Sequence, residues 1–329
     1  MRVLVTGGAG FIGATTAAAL LAAGHEVLVV DDLSRGHRDA VPDGAELIVA
    51  DVADRDTMQA VVGGAGLDAC VHFAALAEAG ESMVAPQAYF RVNTGGSATL
   101  LEALIDHGVQ RFVLSSTAAV YGEPDRVPID ETAPTDPTNA YGESKLLTER
   151  MLAWHHRLHG LRVAALRYFN AAGATAGRPE RHDPESHLIP LVLEVAAGCR
   201  DSIAVFGSDY PTPDGTAVRD YVHVADLADA HVRAVEQIDD HGALTLNLGS
   251  GTGFSVREVV AAARRVTGHP IPVHEAPRRA GDPSSLVASS QRARAALGWR
   301  PEHTDLDEIV ADAWRHRHAA DAPAAGERP

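Results

Sequence analysis

Short apolar runs alternate with longer helical patterns along the first half of the chain. Each short run is apolar at nearly every position, as expected for strands that helices cover on both faces. The predicted strands are Val3–Thr6, Glu26–Val30, Glu46–Ala50, Ala69–Phe73, Arg111–Ser115 and Arg162–Arg167, and predicted helices such as Phe11–Ala23 and Leu146–Leu158 lie between them. This alternation predicts an α/β fold with a doubly wound parallel sheet.

The pattern changes after about Asn170. Glycine, proline and polar residues become dense, as in segment 207–215, and such a composition is typical of loops that face a ligand. A helix over Asp226–Gln237, a strand over Ala243–Leu248 and a helix over Ser255–Thr267 follow. We therefore predict a smaller mixed α/β domain in the C-terminal half.

The predicted organisation is two domains and a tail. Residues 1–169, joined by part of 220–248, form the larger domain, and residues 170–315 form the smaller, substrate-binding domain. The length of 329 residues suits this division, because single cores stop growing beyond roughly 250–300 residues. Residues 316–329 are rich in alanine and proline and are predicted to be disordered.

The charge of the chain limits its partners. Its 28 basic and 44 acidic residues give a formal net charge of −16. A surface this acidic argues against nucleic acid as a partner, because binding to phosphate backbones requires clustered lysine and arginine. A small phosphorylated ligand needs only a few well-placed donors and remains compatible with this charge.

Several features indicate a cytoplasmic protein. No apolar run approaches the length of a membrane span, and the N-terminal residues lack the pattern of a signal peptide, so we expect neither a membrane partner nor a leader. The two cysteines, Cys70 and Cys199, have apolar neighbours and are predicted to be buried free thiols. The absence of a disulfide framework fits a reducing compartment.

The seventeen histidines are scattered along the chain. His155, His156 and His159 share one polar helical stretch, but no cysteine or carboxylate partners accompany them. A solvated helix face explains these three histidines, and we expect no metal site.

Three glycines follow the first predicted strand. Gly7, Gly10 and Gly13 stand where the chain turns into an alanine-rich helix. Glycines at such a turn let the backbone approach a pyrophosphate, and the helix N-terminus stabilises its charge. In this strand–turn–helix context, the spacing predicts a Rossmann-type dinucleotide site.

Acidic residues at the ends of the next two strands indicate which dinucleotide binds. Asp31 can accept hydrogen bonds from the adenosine ribose hydroxyls, and Asp32 can share that role. A carboxylate there repels a 2′-phosphate and favours NAD over NADP, although Arg35 can accommodate such a phosphate. Asp51 can accept a hydrogen bond from the adenine amino group.

Candidate catalytic groups follow the glycine loop. Tyr141 and Lys145 are four residues apart at the start of a predicted helix and share one face. A phenol has a pKa near 10, and a neighbouring ammonium or a bound nicotinamide ring would favour the phenolate and lower that pKa. The hydroxyls of Ser115, Ser116 and Thr117 end the fifth strand, at the edge where α/β sheets bind ligands.

Together these motifs resemble the UDP-glucose 4-epimerases of the extended short-chain dehydrogenase/reductase superfamily, over about residues 1–315. The shared stretches are Gly7–Gly13, His72–Ala75, Gly80–Ser82, Ser115–Gly122, Tyr141–Lys145, Arg167–Gly173, Phe206–His223, Asn247–Gly251 and Arg278–Asp282. The resemblance implies NAD as cofactor and a UDP-hexose as substrate. It also implies inversion of C4 through a 4-keto sugar, and a homodimer.

The resemblance implies a role for each matching residue. The implied catalytic residues are Thr117, Tyr141 and Lys145. The implied cofactor contacts are Gly7, Gly10, Phe11, Ile12, Gly13, Asp31, Asp32, Asp51, Val52, Phe73, Ala74, Ala75, Asn93, Ser115, Tyr141, Lys145 and Tyr168. The implied substrate contacts are Ser116, Thr117, Asn170, Leu188, Phe206, Arg219, Tyr221, Arg279 and Asp282.

Among the substrate contacts, Phe206 is expected to line the uracil pocket, and Asp282 to accept hydrogen bonds from the uridine ribose. The diphosphate is expected to contact Asn170, Arg219 and Arg279, which suits the fork of a guanidinium. In the family, the residue four positions after this aspartate lies beside the C2 substituent of the sugar, and here it is Leu286.

Some residues differ from the family pattern, and others disfavour rival functions. Ala77 and Glu78 stand where the family often has a lysine, so NAD retention is expected to be weaker. Related dehydratases and decarboxylases place an acid after the active-site threonine, whereas Ala118 and Ala119 stand here. A non-enzymatic NAD-binding protein is disfavoured by the intact catalytic set. A 4-epimerase acting on a UDP-linked N-acetylhexosamine, pentose or uronate remains an alternative.

Overall fold

A computed structural model describes residues 1–279 and 282–321. The strands are β1 (Arg2–Thr6), β2 (Glu26–Asp31), β3 (Glu46–Val49), β4 (Ala69–His72), β5 (Arg111–Thr117), β6 (Arg162–Tyr168), β7 (Asn170–Ala172), β8 (Ile203–Phe206), β9 (Val218–His223), β10 (Ala243–Leu248), β11 (Gly253–Ser255), β12 (Val273–Ala276) and β13 (Ser285–Leu286). The helices are α1 (Phe11–Ala22), α2 (Arg55–Ala65), α3 (Ala79–Val84), α4 (Pro86–Tyr89), α5 (Ser97–Asp106), α6 (Ala140–His159), α7 (Leu188–Ala196), α8 (Val224–Gln237), α9 (Val256–Thr267), α10 (Gln291–Leu297) and α11 (Leu306–Asp321).

A seven-stranded sheet organises the larger part of the molecule. Its order is β3-β2-β1-β4-β5-β6-β10, and every neighbouring pair is parallel. Successive β-strands therefore spread in both directions from β1, with helices on both faces. The predicted doubly wound Rossmann-type fold is confirmed, and the six strands predicted in the first half all belong to this sheet.

Two apolar cores cover the two faces of the sheet. One core includes Ala17 of α1 and Leu227 of α8, and these two helices pack on each other. The other core includes Met58 of α2 and Leu104 of α5. Because the strand residues are apolar at successive positions, both faces are buried at once, as expected for a parallel sheet.

The smaller part of the molecule has its own core. A sheet of β11, β9 and β13, with β7 beside β9, is accompanied by the parallel pair β8–β12. Helices α7, α9 and α11 pack together beside it, around residues such as Val192, Val259 and Ile309. The loop 207–217 connects β8 to β9. Residues 207–215 do not line the cavity between the two parts of the molecule, contrary to the expectation that this segment faces a ligand.

The C-terminal segments depart from the predicted boundaries. Residues 291–299 were assigned to the smaller domain, but α10 packs against β10, and Trp299 lies in the core of the large sheet. The Trp299 indole donates a hydrogen bond to the Asp226 carbonyl, at 2.9 Å. The predicted disordered tail is also too long, because α11 continues through 316–321. The rest of that predicted tail lies outside the described residues.

Of the two cysteines, Cys70 is buried in β4, as predicted. The prediction for Cys199 was wrong, since this residue is exposed just beyond α7. Among the described residues, no helix is long and apolar enough to cross a membrane.

Candidate active site

A cavity of about 1120 Å³ lies between the carboxyl end of the large sheet and the smaller domain. Such an edge is where α/β sheets bind ligands, because the loops that follow neighbouring strands converge there. Nearly every site residue inferred from the sequence lines this one cavity, and the exceptions are Asn93 and Ser116. The residues inferred for cofactor, chemistry and substrate thus face a common space.

The glycine loop forms a cradle that admits no side chain. A Cβ atom on Gly7, whose φ is +69°, would lie 2.5 Å from the Ala74 amide nitrogen, and one on Gly13 would overlap the Gly7 carbonyl oxygen. Gly10 caps α1 without a side chain, and the first turn of α1 holds no acidic residue. The helix N-terminus therefore meets the cavity unobstructed, an arrangement that fits a dinucleotide pyrophosphate.

The acidic end of β2 also lies in the cavity. Asp31 is 6% exposed, and its carboxylate accepts hydrogen bonds from the amides of Ala9 and Leu33, at 3.0 and 2.9 Å. Arg35 is held by Glu81 at 3.2 Å and donates to the Asp183 carbonyl at 2.8 Å. Because Arg35 already has these partners, it is not a ready receptor for a 2′-phosphate, and the site favours NAD over NADP.

The end of β5 and the start of α6 bring the inferred catalytic residues to one end of the cavity. Asn139 caps α6 by accepting a hydrogen bond from the Gly142 amide at 2.8 Å, which places Tyr141 in the first turn. One turn later, the Lys145 ammonium donates to the Ser115 carbonyl at 2.8 Å. The Tyr168 hydroxyl donates to the Ser115 hydroxyl. Two strands and one helix thus hold these polar groups in place.

Burial controls the acidity of the two titratable groups. Burial raises the pKa of Tyr141 to about 12, although a hydrogen bond with Thr117 opposes this shift. Burial lowers the pKa of Lys145 to about 8. In the chain alone, burial therefore outweighs any lowering of the pKa of Tyr141 by the neighbouring ammonium. A lower pKa requires the positive charge of a bound nicotinamide ring in addition.

Two of the inferred site residues do not line the cavity: Asn93, which the resemblance also implies helps to hold the active-site backbone, and Ser116. Asn93 accepts a hydrogen bond from the Leu76 amide at 2.8 Å and donates to the Ser144 hydroxyl at 2.9 Å. It therefore supports the backbone around the cavity rather than the cofactor itself. Ser116 is completely buried and donates to Glu149, at 2.5 Å. Side chains alternate across a strand, so Ser115 and Thr117 face the cavity and Ser116 faces away.

The substrate side of the cavity contains two arginines. Arg219 forms an ion pair with Asp282, so the inferred diphosphate and ribose contacts are neighbours in this structure. The Arg279 guanidinium lies over the Phe206 ring, 4.1 Å from its centroid. The two planar groups are thus stacked on each other, and a nucleobase can pack against an aromatic ring or guanidinium of this kind, while the positive charge suits a diphosphate. Asn170, Leu188 and Tyr221 complete this wall.

The sequence analysis missed one wall of the cavity. The loop between β7 and α7 contributes lining residues from Arg178 to His187. Its ion pairs reach across to the cofactor side, where Arg181 contacts Asp39 at 2.9 Å. No periodic pattern marks this loop in the sequence, and only its repeated histidine and glutamate spacing could have revealed it.

Comparisons with known proteins agree with this geometry. Residues 3–249 match the model of the NAD dependent epimerase/dehydratase family. The UDP-glucose 4-epimerase of Streptomyces lividans is 54% identical over 314 residues, which cover 95% of each chain. The Brucella ovis UDP-glucose 4-epimerase in complex with NAD has a TM-score of 0.93 at 45% identity, covering 96% of this chain and 98% of that chain.

A third protein is the UDP-glucose-4-epimerase from Stenotrophomonas maltophila, solved with bound NAD and formylated UDP-arabinopyranose. It has a TM-score of 0.94 at 42% identity, covering 98% of this chain and 99% of that chain. The chain belongs to the NAD dependent epimerase/dehydratase family and, within it, to the UDP-glucose 4-epimerases.

Proposed function

We propose that this protein is an NAD-dependent UDP-glucose 4-epimerase, which interconverts UDP-glucose and UDP-galactose. One observation carries the proposal: Thr117, Tyr141 and Lys145 face the same cavity as the glycine loop and the two substrate-side arginines. The cavity thus has a dinucleotide cradle, an acid–base group and a diphosphate wall. The relatives named above support the same activity.

The proposed mechanism assigns each step to a residue of this chain. Tyr141 accepts the proton of the sugar 4-hydroxyl, through or beside Thr117, and later returns a proton to the 4-keto oxygen. Lys145 supplies positive charge beside the phenol. NAD, when bound, supplies the hydride acceptor and donor for C4, so no net oxidation occurs. Arg219 and Arg279 hold the diphosphate while the sugar turns about its linkage.

The test of the proposal needs no added cofactor. Purified protein is expected to convert UDP-galactose to UDP-glucose without an external reductant, and denatured protein is expected to release NAD. Conversion is measured by coupled assay of UDP-glucose, and the released dinucleotide by chromatography. Release of NADP alone, or NAD binding without turnover, would contradict the proposal and favour a rival dehydrogenase or a non-enzymatic binding protein.

Leu286 is the proposed determinant of sugar size. It lies on β13 beside Arg219 of β9, in parallel register, and lines the cavity. Leucine is intermediate between an aromatic residue, which would exclude an N-acetyl group, and a small residue, which would admit one. One or two methylenes change discrimination by about 1–3 kcal/mol, so we expect preference for the plain hexoses and weak activity on N-acetylated sugars.

The substitution Leu286→Ser is expected to raise the relative kcat/KM for UDP-N-acetylglucosamine about tenfold, within the range that pocket methylenes provide. The measurement is kcat/KM for the plain and N-acetylated pairs of sugars. Val287→Ser serves as the control, since Val287 is buried beside it but does not line the cavity. An unchanged ratio in Leu286→Ser would show that another residue sets sugar size.

We also propose a homodimer formed through α3 and α6. Five exposed apolar side chains lie on these packed elements and on the π-helical turn that follows α4: Met83, Val84, Phe90, Trp154 and Leu158. Trp154 and Leu158 are four residues apart and share one face of α6. Exposed apolar surface on packed helices is a feature of interaction sites.

The dimer proposal predicts that Trp154→Glu shifts the protein to monomer at micromolar concentration. The charged side chain would be buried without a partner in the interface. Sedimentation velocity measures the mass, and Val273→Glu, an exposed apolar site on β12, should leave the wild-type mass unchanged. A monomeric wild-type protein would contradict the proposal.

We further propose a cytoplasmic location, which the two free cysteines support.

A further inference from the structure

Four ligand-type side chains converge in the loop between β7 and α7. One potential ligand atom from each lies within 4.8 Å of the others, and we call this set the loop cluster: Glu180, His182, Glu185 and His187. Both glutamate side chains are strongly buried, with 8% and 7% of their surface exposed. The loop cluster is separate from the α6 histidines on which the expectation of no metal site rests.

Four nitrogen–oxygen distances within the loop cluster lie close to those between the ligands of a four-coordinate metal ion. The Nδ1 atom of His187 lies 3.0 Å from Glu180 Oε1 and 3.3 Å from Glu185 Oε1. The Nδ1 atom of His182 lies 3.4 Å from Glu180 Oε1 and 3.7 Å from Glu185 Oε2. Metal–ligand bonds of about 2.0–2.2 Å at tetrahedral angles place neighbouring ligand atoms about 3.3–3.6 Å apart.

Ion pairing without a metal is the competing explanation of the loop cluster, because each imidazole Nδ1 lies 3.0–3.7 Å from both carboxylates. The Nδ1 atoms of His182 and His187 are nevertheless buried, and within the described parts of the chain none of their contacts has hydrogen-bonding geometry. Buried polar atoms normally find partners, so two such nitrogens that face two buried carboxylates are available to bind an ion.

We propose that the loop cluster binds one divalent transition-metal ion, with zinc as the preferred ion. Two imidazoles and two carboxylates suit zinc, whereas calcium and magnesium prefer ligand sets made of oxygen. Four protein ligands would leave no open position for substrate. The ion is therefore structural, and it does not take part in the hydride or proton transfer.

The position of the loop indicates what the ion stabilises. Next to the cluster, Arg181 pairs with Asp39, and the Asp183 carbonyl accepts a hydrogen bond from Arg35. Ser186 donates to Glu78 on the loop that follows β4. The loop thus forms a wall of the cavity that touches the cofactor side at several points. Bound zinc holds this wall closed over the cofactor, an effect that rests on the proposed function.

The direct test is the metal content of the full-length protein, expressed with zinc and purified without chelators. We expect about one zinc ion per chain by elemental mass spectrometry, a value set by the single loop cluster. The double variant His182→Gln/His187→Gln should lose at least about tenfold in zinc affinity. The control His269→Gln/His274→Gln, which removes two exposed histidines elsewhere, should retain the ion.

A second measurement uses only folded wild-type protein. After removal of metal by a chelator, addition of zinc chloride should raise the thermal midpoint, because an ion that binds only the native state stabilises it. The control variant should show the same rise. Zinc content no greater than that of the double variant, or a midpoint that does not respond to zinc chloride, would overturn the proposal. Zinc content and the thermal midpoint do not depend on epimerase turnover. Failure of the zinc proposal can therefore be distinguished from failure of the proposed activity.

Discussion

Replacing Tyr141 by phenylalanine is expected to reduce kcat by at least about a hundredfold, the usual scale for loss of a general acid–base group. The phenol is the only titratable side chain that combines a place at the start of α6 with contact to Thr117, where the sugar hydroxyl must lie. Phenylalanine keeps the ring and removes only the oxygen. The effect should therefore fall on kcat more than on substrate binding.

The matched control for this variant is Tyr89→Phe. The Tyr89 ring lies 6.4 Å from the Tyr141 ring in an edge-to-face arrangement, but Tyr89 does not line the cavity, and its hydroxyl donates to the Glu78 carbonyl at 2.7 Å. Loss of that hydrogen bond should cost about 1 kcal/mol of unfolding free energy and leave kcat nearly unchanged. Near-normal turnover in Tyr141→Phe, with NAD still bound, would mean that another group is the base.

The strand pattern of the sequence predicts the large sheet well, because a strand buried on both faces must be apolar at every position. For β10, the predicted and observed bounds coincide at Ala243–Leu248. The glycine loop is equally predictable, since its turn excludes a Cβ atom at Gly7 and Gly13 whatever surrounds it. Such local requirements leave a mark in the sequence.

Features that depend on contacts between residues far apart in the sequence are harder to predict from the sequence. Cys199 has apolar neighbours along the chain, but it lies beyond the end of α7, where the thiol is exposed and contacts the Arg317 guanidinium. Trp299 belongs to the core of the large sheet although it follows the substrate-binding segments. Ser116 is a different case, because the alternation of side chains along β5 already separates it from Ser115 and Thr117.

The loop cluster is also difficult to predict from the sequence. His182 and His187 are five residues apart in a segment without regular structure, so no helical or strand periodicity places them together. Only the folded loop brings their Nδ1 atoms to the same two carboxylates. In sequences, the repeated Glu-x-His spacing is the one signal that points to such a site.

Substitution of Lys145 is expected to have the second large effect on kcat, and the pKa of this lysine can be measured directly. It is the only lysine in the sequence. Selective ¹³C labelling of lysine therefore gives a single side-chain signal, whose titration in the cofactor-free protein should show a midpoint near the pKa of about 8 that burial produces. A lysine is protonated below its pKa, so the ammonium is present below about pH 8 and is lost above it.

The variant Lys145→Ala is expected to lower kcat by about a hundredfold, similar to loss of the base it assists. Burial already raises the pKa of Tyr141 to about 12, and removal of the ammonium one helical turn away would leave the phenolate without that positive charge. The acidic limb of the pH–kcat profile should therefore move to higher pH. A small primary amine in solution should restore part of the activity by occupying the space beside the Ser115 carbonyl, to which Lys145 donates at 2.8 Å.

A merely structural role for Lys145 would give a different result. In that case the variant would lose thermal stability and NAD together, and neither the pH profile nor added amine would distinguish it from other destabilised variants. Lys145→Arg provides the matched comparison, because it keeps the charge but carries it on a larger, planar group. If Lys145→Arg and Lys145→Ala show the same unshifted pH profile, then the charge does not control the acidity of Tyr141. If only Lys145→Ala shifts the pH–kcat profile, the positive charge of Lys145 controls the acidity of the Tyr141 phenol.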